Sequence, residues 1–231
     1  TNGTFNMLTG GSDSGSYNVT APGVMQFNGG SRTFNVGTNI TGTGQTRMLS
    51  GTLSIPAGAS INGANVLFSG GTINGDGTLQ FGSGDVFTFN GGTFDGIGVL
   101  DTQLGSVVNM NGDSVTFSNS HVWNNAGTVN WAGNGGSFDS IILNSNSVIN
   151  NLASGVFNDT TVTGSYAQIA GQTTGIFNNQ GTYNKNGAAV TRTSSAIFNN
   201  TGTFNVTNGT FNMLTGGSDS GSYNVTAPGV M

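Results

Sequence analysis

What this sequence lacks excludes several classes of protein. It contains no cysteine, so neither disulfides nor thiolate metal sites can hold the fold together. Only 6% of the residues are charged and the four Lys or Arg residues are scattered, whereas phosphate binding needs a cluster of them. We therefore expect no nucleic-acid partner. No apolar run approaches the roughly 20 residues of a membrane helix, so membrane insertion is not expected either.

Residues that build helices are also scarce. Glycine occurs 41 times and hydrophobic residues make up only 34% of the chain, while Gly, Asn, Thr and Ser fill most of the remaining positions. These four residue types are poor in helix interiors and common in turns, caps or strands. Phenylalanine nevertheless occurs 15 times at spaced positions, and disordered chains are poor in aromatic residues. The composition predicts an ordered all-β chain.

What the sequence does contain is repetition, and its longest period spans most of the chain. Residues 1–25 recur without change as residues 207–231, which gives a period of 207 − 1 = 206 residues. A match of this length does not arise by chance. We expect residues 1–206 to form one repeat and residues 207–231 to begin the next identical copy. The chain then reads as an excerpt from something longer, with further copies in tandem.

A shorter period of 21 residues lies inside the long one. Residues 177–184 (FNNQGTYN) and 198–205 (FNNTGTFN) show it most clearly, and residues 123–130 (WNNAGTVN) are a further copy. Between Ser31 and Gly92 this period divides into modules of about seven residues, most of them closed by glycine. Each module alternates apolar and polar residues, as short strands with one buried face do. Repeats of this size indicate a solenoid.

The repeats predict how the strands are arranged. A coil of three short strands cannot bury its inward face alone, whereas stacked coils can. We predict a right-handed parallel β-helix (β-solenoid), with about three short strands per ~21-residue coil and about ten coils in the 206-residue repeat. Residues 1–231 then form a single continuous segment. Since parallel strands lie ~4.8 Å apart, one repeat advances the rod by about 48 Å.

The repeated units place particular side chains at equivalent positions in successive coils. Asparagine at such a position tolerates a left-handed backbone, and its amide can bond to the amide above it. The predicted structural ladder comprises Asn125, Asn151, Asn179 and Asn200. The predicted core stack comprises Trp123, Phe177, Tyr183, Phe198 and Phe204. Lys185 departs from the pattern because it takes the place of Val206, and we expect it at a splayed corner.

Few residues could carry chemistry. Asp76, Asp95 and Asp113 fall at similar intervals and could stack into a weak calcium-like oxygen site, although solvated corner residues are the plainer interpretation. His121 is the only histidine and has no nearby serine, cysteine or acidic partner in the sequence to form a triad. We expect it at the surface or in a corner. We predict no catalytic residue, no metal site and no cofactor.

The repeat units also carry a family resemblance. The Phe-Asn-Asn-x-Gly-Thr-aromatic-Asn units, the Gly-Gly-Thr turns and the Gly-Thr-Leu strands at 52–53 and 78–79 resemble the tandem β-strand repeats of giant bacterial surface proteins. In style they are similar to filamentous haemagglutinin and to autotransporter passengers. The resemblance covers essentially the whole chain. It implies a β-solenoid at an extracellular or cell-surface location.

These features bear on three candidate functions. A structural fibre or surface stalk needs only repetition, low charge and resistance to unfolding. An adhesin needs a patch for a glycan or another surface ligand, which tandem copies would multiply into avidity; Trp123 and Trp131 could stack on a sugar, but the alternation turns both inward. A polysaccharide enzyme needs a clustered acidic groove. We predict a structural fibre, with an adhesin as the alternative and no enzyme, and with lateral self-association as a further contact between rods.

Overall fold

The chain winds into a solenoid of parallel strands. In the computed structural model, which describes residues 3–135, 138–162 and 166–231, the strands stack as a β-solenoid of about 10 turns, about 21 residues apart. These residues contain strands, turns and bends but no helix. Accordingly, no helix long and apolar enough to cross a membrane is found in the part of the chain that is described. The predicted solenoid class is confirmed.

The strands are short, and the longer ones bend around a corner of the coil. In chain order they are β1 Thr4–Met7, β2 Gly11–Asp13, β3 Ser16–Asn18, β4 Val24–Phe34, β5 Asn39–Thr41, β6 Gln45–Ser54, β7 Ser60–Phe68, β8 Thr72–Asn74, β9 Thr78–Phe89, β10 Thr93–Asp95, β11 Val99–Thr102, β12 Val107–Met110, β13 Ser114–Phe117, β14 Val122–Asn125, β15 Thr128–Trp131, β16 Phe138–Leu143, β17 Val148–Asn151, β18 Val156–Asp159, β19 Tyr166–Asn179, β20 Thr182–Lys185, β21 Val190–Asn200, β22 Thr203–Val206, β23 Thr210–Met213 and β24 Ser222–Val225. Each pairs in parallel with a strand of the neighbouring coil.

Every second side chain of a strand points inward, and the parallel register stacks these residues in columns that form the core. One column contains Leu53, Ile73, Phe94, Phe117 and Leu143. A second contains Ile61, Leu79, Leu100, Trp123, Ile149, Phe177 and Phe198. A third contains Val66, Phe87, Val108, Val129, Phe157, Tyr183 and Phe204. Burial of these columns is the main term that stabilises the rod.

The coils are not all equally long. Asn109 and Asn130 occupy neighbouring coils and are 21 residues apart. Asn130 and Asn158 also occupy neighbouring coils but are 28 residues apart. The spacing returns to 21 residues between Asn184 and Asn205. Because the strands on either side keep their register, the added residues lie at the corners.

Candidate functional site: side-chain ladders and a buried ion pair

The four ladder asparagines lie directly above one another inside the solenoid. The register pairs Asn125 with Asn151, Asn151 with Asn179 and Asn179 with Asn200. Each Nδ2 donates to the Oδ1 of the next asparagine at 2.8 Å. All four side chains are buried. The ladder therefore satisfies polar atoms that would otherwise destabilise an apolar interior.

The first ladder residue is joined to the aromatic core. Thr102 lies beneath Asn125 in the same column, and its Oγ1 donates to Asn125 Oδ1 at 2.9 Å. The indole Nε1 of Trp123 donates to Thr102 Oγ1 at 3.0 Å. At the other end, Asn200 Nδ2 approaches the Ser222 carbonyl oxygen at 3.5 Å. Trp123 is thus fixed by a hydrogen bond inside the core, where it is closed to a sugar.

The ladder asparagines also hold the corners that follow them. The carbonyl oxygen of Asn151 accepts two backbone N–H groups of the next coil, from Gln180 at 2.8 Å and from Gly181 at 3.0 Å. None of the four ladder asparagines has a positive φ, whereas Asn119 and Asn146, outside the ladder, have φ of 57° and 64°. A left-handed backbone therefore does not explain asparagine at the ladder, whereas the predicted bond from amide to amide does.

Two more amide rows run along the outside of the coils, and they are not part of the predicted ladder. The first row comprises Asn124, Asn150, Asn178 and Asn199, with Nδ2–Oδ1 distances of 2.8–2.9 Å. The second comprises Asn109, Asn130, Asn158, Asn184, Asn205 and Asn224, with distances of 2.8–3.1 Å. The signal was present in the sequence: in each Phe-Asn-Asn unit, strand alternation turns the first asparagine outward and the second inward.

The residues of the predicted core stack are all buried, and most are in ring contact with one another. The ring centroids of Phe177 and Phe198 lie 5.0 Å apart with planes inclined by 11°. Those of Tyr183 and Phe204 lie 4.8 Å apart at 7°. Trp123 belongs to the column of Phe177 and Phe198, but Ile149 lies between it and Phe177. Offset stacking of this kind adds to the energy of burial.

Lys185 is not at a splayed corner, and that prediction is wrong. Its side chain is fully buried in the column of Val206, which is the next residue above it, while Asp159 is the next below. Lys185 Nζ lies 3.4 Å from Asp159 Oδ1 and donates to the Gly187 carbonyl oxygen at 2.7 Å. The sequence pattern gave the correct column but not the partner, because Asp159 precedes Lys185 by 26 residues instead of 21.

The carboxylate of Asp159 is surrounded by donors. Thr161 Oγ1 donates to Oδ1 at 2.7 Å, and Oδ2 accepts from Thr191 Oγ1 at 2.6 Å and from Tyr183 OH at 3.2 Å. Burial lowers the pKa of Lys185, and the Asp159 carboxylate beside it opposes that shift. Burial and the same carboxylate raise the pKa of Tyr183 well above its usual value. All these side chains are fully buried. No substrate can reach the cluster in the folded coil, so we expect it to affect the stability of the fold.

His121 occupies a corner but is buried, so the alternative of a surface position is wrong. Its side chain is 4% exposed and Nδ1 lies 3.3 Å from the Gly96 carbonyl oxygen. The imidazole centroid lies 5.0 Å from that of Phe94 and 5.9 Å from that of Phe117. Burial lowers the pKa of His121 to about 4, so the ring is neutral near pH 7. It fills the corner as an aromatic residue.

The three aspartates considered for calcium do not form a stack. The register pairs Asp95 with Asn74, and Asp95 Oδ1 accepts a hydrogen bond from Asn119 Nδ2 at 2.6 Å. Asp76 and Asp113 are exposed at bends. Within the described ranges, no group of three or more His, Asp or Glu side chains lies close enough to hold a metal ion.

The organised features of the described residues are therefore axial: amide rows and stacked rings connect successive coils, and a buried ion pair joins Asp159 and Lys185 of neighbouring coils. Comparison of the chain with protein-family models, with curated proteins and with solved structures found no match of any of these three kinds. Its function must be inferred from its own geometry.

Proposed function

We propose that this chain is a structural repeat of a long extracellular fibre or surface stalk. The identity of residues 1–25 and 207–231 carries the proposal, together with the strands that the two segments share. The sequence TFNM forms a strand at Thr4–Met7 and again at Thr210–Met213. The sequence SYN is in a strand at Ser16–Asn18 and again within Ser222–Val225. Because the second segment continues the stack, with Thr210–Met213 paired to Val190–Thr193, one copy can follow another without a break in the coil.

The interior of the rod supports a mechanical role. Each coil contacts only its neighbours, so the stability of a solenoid grows with the number of stacked interfaces. Here every interface between Val122 and Val206 combines stacked apolar side chains with amide hydrogen bonds parallel to the axis. With 6% charged residues, tandem copies also accumulate little like-charge repulsion per coil.

The bacterial and extracellular setting is part of this proposal. It is supported by the resemblance of the Phe-Asn-Asn-x-Gly-Thr units to the tandem repeats of giant bacterial surface proteins. The absence of cysteine is also in keeping with such proteins, which often cross an outer membrane unfolded. Adhesion to a glycan remains the alternative function, and a glycan array probed with a tandem-repeat polypeptide tests it.

Electron microscopy of a polypeptide that carries several repeats tests the fibre role. We expect thin unbranched rods whose length increases by about 45 Å per added repeat, because the register gives nine coil-to-coil steps from Phe5 to Phe204, each of ~4.8 Å. The matched control carries Lys185→Glu in every repeat, which places two carboxylates in one buried column and should abolish the rods. Globular particles from the unsubstituted polypeptide would contradict the proposal.

A further inference from the structure

The buried ion pair brings together an amine and a carboxyl group that can react with each other. Lys185 and Asp159 are direct partners in the register of adjacent coils, and Lys185 Nζ lies 3.4 Å from Asp159 Oδ1. Since a carboxyl C–O bond is about 1.2 Å long, Nζ lies less than about 5 Å from the Asp159 Cγ carbon. The Gly187 carbonyl oxygen accepts a hydrogen bond from Nζ at 2.7 Å and holds the amine there. Rotation about the flexible four-carbon stem of lysine can close the remaining distance.

The surroundings of the pair favour the uncharged forms of the two groups. Trp131 is the next residue below Asp159 in the column, Val206 is the next above Lys185, and both are buried. Burial lowers the pKa of Lys185, which favours the neutral, nucleophilic amine. An amine beside a carboxylic acid carries the same protons as the ion pair, so transfer of one proton converts one into the other. Desolvation destabilises a buried ion pair, whereas an amide made from the two groups is neutral.

Hydrogen-bond donors surround the carboxyl group on both of its oxygens. Asp159 Oδ2 accepts from Thr191 Oγ1 at 2.6 Å and from Tyr183 OH at 3.2 Å. Burial raises the pKa of Tyr183, so its hydroxyl group keeps its proton and remains a donor. Attack on Cγ places negative charge on Oδ2, and donors already aimed at that oxygen stabilise the charge as an oxyanion hole does. Oδ1 faces the amine and accepts from Thr161 Oγ1 at 2.7 Å.

We propose that Lys185 and Asp159 condense to an intramolecular isopeptide bond in the folded solenoid. The proton that Nζ gives up first moves to Oδ1. The neutral Nζ then attacks Cγ, the N–C bond forms, and negative charge gathers on Oδ2. The Cγ–Oδ1 bond breaks as Oδ2 returns to a carbonyl group, and Oδ1 leaves as water with its own proton and a second proton from Nζ. The ion pair and the products both have zero net charge, and the step needs no oxidant or other reactant.

The fold supplies what two free side chains lack. Groups held in a reactive orientation reach effective concentrations of about 10⁵–10⁸ M, and the apolar interior excludes the water that reverses the condensation. The bond joins residues that are 26 apart in the chain, so it also restricts the unfolded chain. It goes beyond the fibre role and does not depend on it, because it requires only the folded coils.

Mass spectrometry of the full 231-residue chain tests the proposal. Condensation removes one water, about 18 Da, and a chymotryptic digest should contain a branched peptide that joins residues 159 and 185. Asp76 precedes a glycine and can lose water by cyclisation, so the branched peptide decides and not the mass alone. Lys185→Arg is the control, since its guanidinium stays protonated and is no nucleophile. It should keep its full mass, as should the unsubstituted chain held in urea, where the fold is absent.

Two buried threonines of the strand Val190–Asn200 test the chemical step itself. Thr191→Val removes a donor to Oδ2, and after refolding from urea the branched peptide should appear about tenfold more slowly or worse. Thr193→Val is the matched control, because Thr193 Oγ1 accepts from Leu214 N and makes no hydrogen bond to Asp159. It should leave the rate unchanged. Equal rates for the two variants would contradict the step.

The proposal is overturned if the folded, unsubstituted chain keeps its full mass, or if it loses water without forming the branched peptide. Either result leaves the fibre role untouched, because that role is tested separately by the rods seen in electron microscopy. Conversely, a branched peptide from a chain that forms no rods would establish the bond and remove the fibre role.

Discussion

Two regions of the rod turn their corners in different ways. We call Val24–Met110 the glycine region and Val122–Val206 the asparagine region. In the glycine region, glycines with positive φ occupy corner after corner, as at Gly58, Gly75 and Gly96. In the asparagine region, within the described residues, positive-φ glycine occurs only at Gly133 and Gly135, and every buried asparagine and lysine of the described chain lies there.

The asparagine region also contains left-handed corner residues, but these are Ser145, Asn146, Thr174 and Ser195 and not glycine. The difference therefore lies in the residues that build the corners and in the buried asparagines that join the coils. Glycine adopts a left-handed corner without strain, and it lets coils approach closely: a Cβ on Gly75 would collide with the carbonyl oxygen of Ile55. Asparagine instead binds the next coil through its amide and its carbonyl group, as Asn151 does. The asparagine region should be sensitive to lost hydrogen bonds. Both regions should be sensitive to added atoms, because a Cβ on Gly181 would collide with the carbonyl oxygens of Gly155 and Leu152.

The largest expected effect is in the asparagine region, at the buried ion pair. Lys185→Met leaves the Asp159 carboxylate buried without its counter-charge. We expect a loss of about 3–5 kcal/mol in the free energy of unfolding, measured by urea denaturation.

Two variants serve as controls for this prediction. Asp159→Val/Lys185→Val removes both charges but leaves the buried hydroxyl groups of Thr161, Tyr183 and Thr191 without their acceptor. It should therefore recover only part of the stability that Lys185→Met loses. Arg47→Met removes a half-buried cation of the glycine region that bonds to Gln45. It should lower the free energy of unfolding much less than Lys185→Met does. Equal losses for Lys185→Met and Arg47→Met would refute the proposed importance of the buried pair.

The next effect separates the inner ladder from an outer row. Asn151→Ala removes an amide that donates to Asn179 and accepts from Asn125, both buried. Unsatisfied buried partners should lower the free energy of unfolding by about 1–3 kcal/mol. Asn150→Ala, the adjacent half-buried residue that bonds to Asn124, should cost about 0.5–1 kcal/mol because water can replace the lost partner. Thermal unfolding of both variants measures the difference. If both lose the same free energy of unfolding, the inner ladder contributes no more to stability than the outer row.

The smallest effect tests the glycine region through backbone strain alone. Gly58 has φ of 79°, and a Cβ there would meet no atom within 4 Å. Gly58→Ala should therefore lower the free energy of unfolding by about 1–2 kcal/mol, through backbone strain alone. Gly82→Ala is the control, since Gly82 lies in a strand, its φ is not positive and its nearest contact would be an ordinary 3.4 Å. If both variants unfold at the same urea concentration, strain is not what selects glycine at the corner.

The solenoid could be predicted from the sequence because the residue pattern that specifies it is local and repeated. Alternation fixes which side chains point inward, and the period fixes which of them stack. Phe177 and Phe198 are 21 residues apart in matching motifs, and they are direct partners in the register. The inner asparagines were found from their equivalent places in copies of one motif, although Asn125 and Asn151 are 26 residues apart and Asn151 and Asn179 are 28 apart.

Contacts that depend on coil length could not be predicted. The partner of Lys185 is 26 residues away and the coil beneath Asn158 spans 28 residues, because corner insertions lengthen the middle coils without changing the strand motifs. The burial of His121 could not be predicted for a related reason. A corner residue looks solvated in the sequence, whereas Phe94 and Phe117 of stacked coils enclose this one.

The central claim is the register of the stacked coils, and cysteine crosslinking tests it directly because the chain has no cysteine of its own. In the pair Asn124→Cys/Asn150→Cys the residues are 26 apart in sequence and are direct partners in the register, with Cα atoms at a ~4.8 Å strand spacing that suits a disulfide. The pair Asn124→Cys/Ser145→Cys keeps the uniform spacing of 21 residues. Mild oxidation should crosslink the first pair within one molecule and leave the second reduced. Crosslinking of the second pair in preference to the first would contradict the stacked register.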